Sequence, residues 1–307
     1  MADAGQGRSY TAGRFMLEVG SYNVGYLKKF SGLAMEANVV SHDLGPDNVQ
    51  KKHVSTIKWT PGKATIGIGM GFEMYQWIKA AFDKGVIYNH GSFVAADFNY
   101  KAQSRLDFQQ ALITSVTVPK LDGSSKDACY FDIEFDAEMV RWAKAGGEDI
   151  RAKIGPKQKA WLASNFRVEI GNLPCMRVAT VDSFTWKCSV TADQIGLNRE
   201  PTKHAAKVTV PDIKLGISMV DYQPWADAAK AWFVDGQHLE SNEMQGRITF
   251  LNPNMKDEIG DIELQNVGFK KFSKQDFEAN GEKIARFDVE LYVEKMKFNL
   301  KDYDSAS

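Results

Sequence analysis

The sequence predicts a mostly β protein of the α+β class, with two tandem domains that each carry one helix. Two observations lead to this prediction. The chain matches itself when it is shifted by 151 residues, and each copy alternates apolar and polar residues except in one stretch with helical periodicity. The length of 307 residues agrees with two domains of roughly 150 residues each.

The internal match covers most of the chain. From residue 15 to residue 85, 13 of 71 positions are identical to the residue 151 positions later, whereas about 4 identities are expected from typical residue frequencies. Residues 131–135 (FDIEF) then match residues 287–291 (FDVEL) at an offset of 156. We therefore predict a tandem duplication, with domains at 1–147 and 164–307 and a linker at 148–163.

Each copy has the pattern of several strands around one helix. The first half of each copy predicts short strands and a long loop, which in the first copy spans residues 44–54. Met74, Ile78 and Phe82 then follow the spacing of an amphipathic helix, and Gly85 is placed to end it. The second copy repeats this helix before Gly236. Predicted strands follow, and the last one alternates most clearly.

Composition and charge exclude several classes of function. The 38 basic and 39 acidic residues give a net charge of −1, which does not favour nucleic acid or a membrane surface as a partner. No apolar run reaches the roughly 18 residues of a membrane span, and the N-terminus does not resemble a signal peptide, so we expect synthesis in the cytoplasm. Three scattered cysteines and no HExxH motif predict no metal and no other cofactor.

Several segments of the first copy, in order, resemble the tail tube proteins of contractile phages and, more remotely, the tube protein of type VI secretion. These segments are residues 15–20 (FMLEVG), 30–33 (FSGL), 58–62 (KWTPG), 108–111 (FQQA), 119–122 (PKLD) and 131–135 (FDIEF). The second copy departs from the pattern, because Asp182-Ser183-Phe184 replaces Ser-Gly-Leu and Val210-Pro211-Asp212 replaces Trp-Thr-Pro.

The resemblance implies a β-sandwich or barrel domain that assembles with its copies into stacked rings around a lumen. The protein would form the inner tail tube of a contractile phage tail or a phage-tail-like injection system, and it would not be an enzyme. Its expected partners are the sheath, baseplate and tape-measure proteins, with DNA or protein cargo passing through the lumen without specific binding. The resemblance does not set the number of chains. Because the two copies share register over most of their length, we favour a trimeric, pseudo-hexameric ring, and a ring of six chains that each span two layers is the alternative. Made in the bacterial cytoplasm, the protein would enter a virion tail or an injection particle.

The predicted site residues are structural. Contacts between rings or subunits are expected in the segments 43–63 and 194–214, which in the resembled family include a loop that reaches the neighbouring ring. These contact residues are Asp43, Asp47, Lys51, Lys52, His53, Lys63, Lys203, His204 and Lys214. A second group of acids lies at every second position of a strand and could line the lumen, where negative charge would repel DNA. These acids are Asp132, Glu134, Asp136, Asp288 and Glu290.

Two other functions stay open at this point. One is a baseplate or tube-initiating ring with the same fold. The other is a monomeric two-domain β enzyme or ligand-binding protein with a pocket between its repeats. The sequence contains no GxSxG nucleophile motif, and Gly67-Ile-Gly69-Met-Gly71 lacks the spacing of a phosphate loop, so neither motif favours an enzyme.

Overall fold

Eighteen strands and two helices make up the fold that the computed structural model describes, over residues 13–43, 50–83, 85–151, 161–194, 200–275 and 284–301. We call residues 13–151 the first half and residues 161–301 the second half. The strands of the first half are β1 (Arg14–Val19), β2 (Tyr22–Asn23), β3 (Gly25–Ser31), β4 (Met35–Asp43), β5 (Gln50–Trp59), β6 (Gly62–Met70), β7 (Asn89–Ala96), β8 (Ala102–Val118), β9 (Leu121–Asp122) and β10 (Phe131–Lys144). Helix α1 (Phe72–Phe82) lies between β6 and β7.

The second half follows the same order of elements. Its strands are β11 (Phe166–Ile170), β12 (Val178–Val181), β13 (Phe184–Asp193), β14 (Thr202–Thr209), β15 (Ile213–Ser218), β16 (Met244–Leu251), β17 (Glu258–Lys274) and β18 (Arg286–Leu300), with helix α2 (Tyr222–Phe233) between β15 and β16. The predicted mostly β fold with one helix in each half is confirmed. Neither helix in the described residues is long and apolar enough to cross a membrane.

The two main sheets have corresponding strand orders. The first runs β2-β1-β7-β8-β10-β6-β3, and the second runs β11-β16-β17-β18-β15-β12-β9. Strands β1, β7, β8, β10, β6 and β3 therefore occupy the same places as β11, β16, β17, β18, β15 and β12. The halves also exchange strands, because the β13–β14 hairpin joins the first sheet through β8 and β9 joins the second sheet through β12. Hairpin β4–β5 forms a two-stranded sheet of its own.

The core is shared between the halves. Alternate residues of β10 and β18 point inward, so that Phe131 and Phe135 are buried on β10 and Phe287 is buried on β18. The ring of Phe131 lies 5.1 Å from that of Trp161 and 5.4 Å from that of Phe298, centre to centre. Burying each of these large side chains contributes about 1.5–3 kcal/mol. They belong to one large hydrophobic cluster that contains buried residues of both halves.

The helices begin and end near the predicted residues. Helix α1 buries Met74, Trp77, Ile78 and Phe82 on one face, as their spacing predicts. The backbone N–H of Gly85 donates to the carbonyl of Ala80 just beyond the helix end.

Steric crowding explains why the FSGL segment has a glycine at position 32. Gly32 has a φ of +94°, and a Cβ atom there would lie 1.9 Å from the carbonyl oxygen of Pro61. Only glycine fits that close approach between the two turns. The segments FSGL and KWTPG are therefore linked by direct packing of their backbones.

Candidate assembly surface

Those predicted contact residues of the first half that the structure describes lie on strands rather than in a loop. Lys51, Lys52 and His53 belong to β5 and are exposed, and they pair with residues 40–42 of β4. The loop predicted for 44–54 is therefore wrong from residue 50 onward, because backbone hydrogen bonds extend the hairpin to the pair Asp43–Gln50. Asp47 lies outside the described residues.

A strand junction joins the two halves. Residues 184–187 of β13 pair antiparallel with residues 118–115 of β8, so that Phe184 lies opposite Val118. The hydroxyl oxygens of Thr117 and Thr185 are 2.9 Å apart across this pair, and the Ser183 hydroxyl donates to the Val118 carbonyl at 2.9 Å. The sheet thus continues from the first half into the second. We call this pairing the closed junction.

Three large side chains pack beneath the closed junction. The Trp186 ring stacks on that of Phe82 with centres 5.7 Å apart, and the Phe298 ring lies 6.0 Å from the same Phe82 ring. Phe82 comes from α1, whereas Trp186 and Phe298 come from the second half. All three are buried. They fix the position of the hairpin on the helix of the other half.

Lys203 adds an ion pair to the closed junction. It lies on β14, and its ammonium group is 2.6 Å from Asp136 Oδ1 and 2.7 Å from the Ala137 carbonyl oxygen. Its backbone N–H donates to Glu138 at 2.7 Å. The prediction that Lys203 lies in a loop is wrong, and its contact connects two halves of one chain. His204 is exposed on the same strand.

Two further contacts across the junction were missed by the sequence analysis. The Arg141 guanidinium binds both carboxylate oxygens of Glu200, at 2.5 and 3.0 Å, and this raises the pKa of Arg141. The Tyr88 hydroxyl donates to the Lys203 carbonyl at 2.9 Å. The partners are 59 and 115 residues apart in the chain, so no local pattern indicates them.

The predicted acids of the first half line the polar face of β10. Glu134 lies opposite Lys63 on β6, and their charged atoms are 2.6 Å apart. Asp132 lies opposite Thr65 and accepts a hydrogen bond from its hydroxyl at 2.6 Å. Asp136 is the partner of Lys203 described above. Two of the three carboxylates are therefore balanced by lysine.

The second half repeats this balance with different partners. Lys270 on β17 lies 2.8 Å from Glu290 and also contacts Asp212. Lys214 is 3.7 Å from Asp288, and the pKa of Lys214 is raised, first by Asp182 and then by Asp288. The polar face of both sheets thus carries mixed charge. Neither its location in a lumen nor the contact role of the exposed lysines is tested by these distances, and both stay predictions.

Among the described residues, no group of three or more His, Cys, Asp or Glu side chains is arranged to hold a metal ion. Cys129 and Cys188 are buried, and burial raises the pKa of the Cys129 thiol to about 11. At Gly71, a Cβ atom would lie 2.4 Å from the carbonyl oxygen of Asn23, so this glycine permits a close approach of two backbones.

Comparisons with known proteins give structural likenesses at low identity. No protein-family model matches the chain, and no curated protein does. A chain of the tube-terminating cap of the anti-feeding prophage is 14% identical with a TM-score of 0.43, and the match covers 50% of this chain and 99% of that one. A chain of the PVC sheath/tube terminator in the extended state, from an extracellular contractile injection system, is 19% identical with a TM-score of 0.40. That match covers 45% of this chain and 99% of the other.

Proposed function

We propose that this protein is a structural ring component of a contractile phage tail or a phage-tail-like injection system, and that it forms the inner tail tube. It consists of two tandem tail-tube-like domains that arose by duplication, at 1–147 and 164–307 with a linker between them. The order of motifs in the sequence supports the family, and the corresponding strand orders of the two sheets support the duplication. The protein acts as a scaffold and not as an enzyme.

The closed junction is the observation that carries the proposal. It joins β13 of the second half edge to edge with β8 of the first half, in one continuous sheet. Two domains joined in this way lie side by side in one layer. This supports a ring of three chains with six domains, rather than six chains that each span two stacked layers.

The other predicted residues have roles that follow from a ring. The polar face of β10 and β18 would face the lumen, where its mixed charge lets DNA or protein cargo pass without specific binding. The exposed lysines and His53 of β5 would contact the neighbouring chain or ring. Sheath, baseplate and tape-measure proteins would be the partners of the assembled tube, which would become part of a virion tail or an injection particle.

Negative-stain electron microscopy of the purified protein tests this proposal. Hollow tubes of stacked rings are the expected result, alone or after addition of sheath and baseplate components. Single rings that do not stack would instead favour a baseplate or tube-initiating component of the same fold. A protein that stays monomeric at high concentration, and does not enter particles with those components, would contradict both.

A further inference from the structure

The second half carries an edge that corresponds to the one filled in the closed junction. On β17, residues 258–267 pair with β16, and the strand continues to Lys274 along β18. Of the strands that the structure describes, none pairs with the β16 side of Gly268–Lys274. Residues 271–274 of β17 correspond to residues 115–118 of β8 at the offset of 156. In β8, these are the residues that pair with β13.

The first half carries a hairpin that corresponds to β13–β14. Hairpin β4–β5 has the same internal register, since Glu36 pairs with Lys58 as Lys187 pairs with Thr209, 151 residues later. It pairs with neither main sheet among the described residues. It exposes Met35, Val39 and Val54 to solvent. Exposed apolar side chains grouped on one surface indicate a place where a partner binds.

Three side chains are buried beneath the closed junction, whereas their three counterparts in the other halves are exposed. This difference indicates where a partner would pack. In the closed junction, Phe82, Trp186 and Phe298 are each at most 2% exposed. The corresponding residues are Phe233 at the end of α2, Met35 on β4 and Trp142 on β10. They are 48%, 59% and 66% exposed. We call these three residues the open cluster.

The three residues of the open cluster can pack together as those of the closed junction do only if a second molecule takes part. In the closed junction, the helix residue comes from one half, and the other two residues come from the half that donates the hairpin. In the open cluster, Phe233 belongs to the second half, and Met35 and Trp142 belong to the first. Within one chain the two halves already meet through the closed junction. There the second half provides the hairpin and the first half provides the sheet edge, which is the reverse of what the open cluster needs.

We infer that β4 of one chain adds to the edge of β17 of a second copy, in the register of the closed junction. Met35, the first residue of β4, would lie opposite Phe272. Glu36 would lie opposite Lys271, which places opposite charges across the pair. Met35 and Trp142 would then cover Phe233 of that copy. This inference rests on the proposed ring and deepens it by naming the strands of the interface between chains.

The inferred interface is heterologous, because the two chains contribute different surfaces. Such an interface repeats from copy to copy, and it produces a ring if the rotation closes. Strand addition also pairs an exposed sheet edge, which is otherwise an aggregation hazard. In the resulting assembly, closed junctions within chains alternate with corresponding junctions between chains.

Disulfide cross-linking of the full chain tests the register directly. The double variant Glu36→Cys/Lys271→Cys, with Cys175→Ser as background, is treated with a mild oxidant and separated on a non-reducing gel. We expect covalent oligomers larger than a dimer, because each chain would supply one cysteine to each of two neighbours. The matched variant Lys187→Cys/Ser115→Cys tests the closed junction, whose residues are paired within the chain, and should give an oxidised monomer.

The contrary outcomes are distinct. If Glu36→Cys/Ser273→Cys, shifted by two residues, cross-links as efficiently, the register is wrong. If microscopy shows rings or tubes but the first double variant gives no oligomers, the strand pairing is overturned while the proposed function stands. A protein that stays monomeric alone and with sheath and baseplate components overturns both the pairing and the proposed function.

A second set of variants tests the open cluster. Met35→Asp and Trp142→Asp should each abolish assembly while leaving the unfolding midpoint of the monomer unchanged, because both side chains are exposed in the monomer. Phe98→Asp is the control, since Phe98 is 74% exposed at the turn between β7 and β8 and lies outside the open cluster. Assembly that persists in the first two variants, or is lost equally in the control, would contradict the inference.

Discussion

The ion pair between Lys203 and Asp136 provides a direct test of the closed junction. Lys203→Met keeps much of the aliphatic chain but leaves Asp136 without its cation. The Lys203 side chain is 8% exposed and that of Asp136 is 18% exposed. Removing one partner of a buried ion pair costs about 3–5 kcal/mol, and the partial exposure of Asp136 puts the expected loss in free energy of unfolding at about 3 kcal/mol.

The assay is urea unfolding at pH 7 and low protein concentration, followed by tryptophan fluorescence and by circular dichroism. Lys52→Met is the matched control, because Lys52 is the corresponding residue of the first half and is exposed on β5. Its expected effect is within about 0.5 kcal/mol. The double variant Lys203→Met/Asp136→Leu removes both charges and should recover most of the loss. Equal losses in Lys203→Met and Lys52→Met would refute the reasoning.

Three further predictions concern single positions. Trp186→Ala removes the ring stacked on Phe82 and should cost about 3–5 kcal/mol of stability in the same urea assay. Gly32→Ala places a methyl group against the Pro61 carbonyl at a positive φ, and should cost about 2 kcal/mol or more in thermal unfolding. The Cys129 thiol, with a pKa of about 11, stays protonated and buried at pH 8, so a thiol-reactive disulfide reagent should label it only after denaturation.

Corresponding residues again provide the controls. Met35→Ala, at the counterpart of Trp186, should change the stability of the monomer by less than about 0.5 kcal/mol. Ser183→Ala, at the counterpart of Gly32, loses one hydrogen bond to Val118 and should cost about 1 kcal/mol. Equal losses of stability in a variant and its control would contradict the assigned contacts. Rapid labelling of Cys129 in the native protein would contradict its burial.

Local periodicity was enough to predict the elements that bury one face. Met74, Ile78 and Phe82 lie on the buried side of α1, and residues 131–135 alternate in and out along β10, as their spacing requires. These features depend on neighbours in the sequence, so the sequence shows them.

The same dipeptide in two environments shows why the junction could not be predicted. Lys52-His53 and Lys203-His204 occupy corresponding positions, yet Lys52 is exposed and Lys203 is buried against Asp136. Which sheet edge a hairpin joins depends on residues more than 60 positions away, and the local pattern carries no information about them. The predicted loop that ended at residue 54 was wrong for a similar reason, because the β5 residues from Gln50 onward form a strand only through pairing with β4.

Native mass spectrometry of the isolated ring tests the central claim most directly, namely that two halves of each chain lie side by side in one layer. The account predicts a particle with three times the mass of the 34.3 kDa chain. A single ring with six times that mass, from six chains that each span two layers, would contradict it.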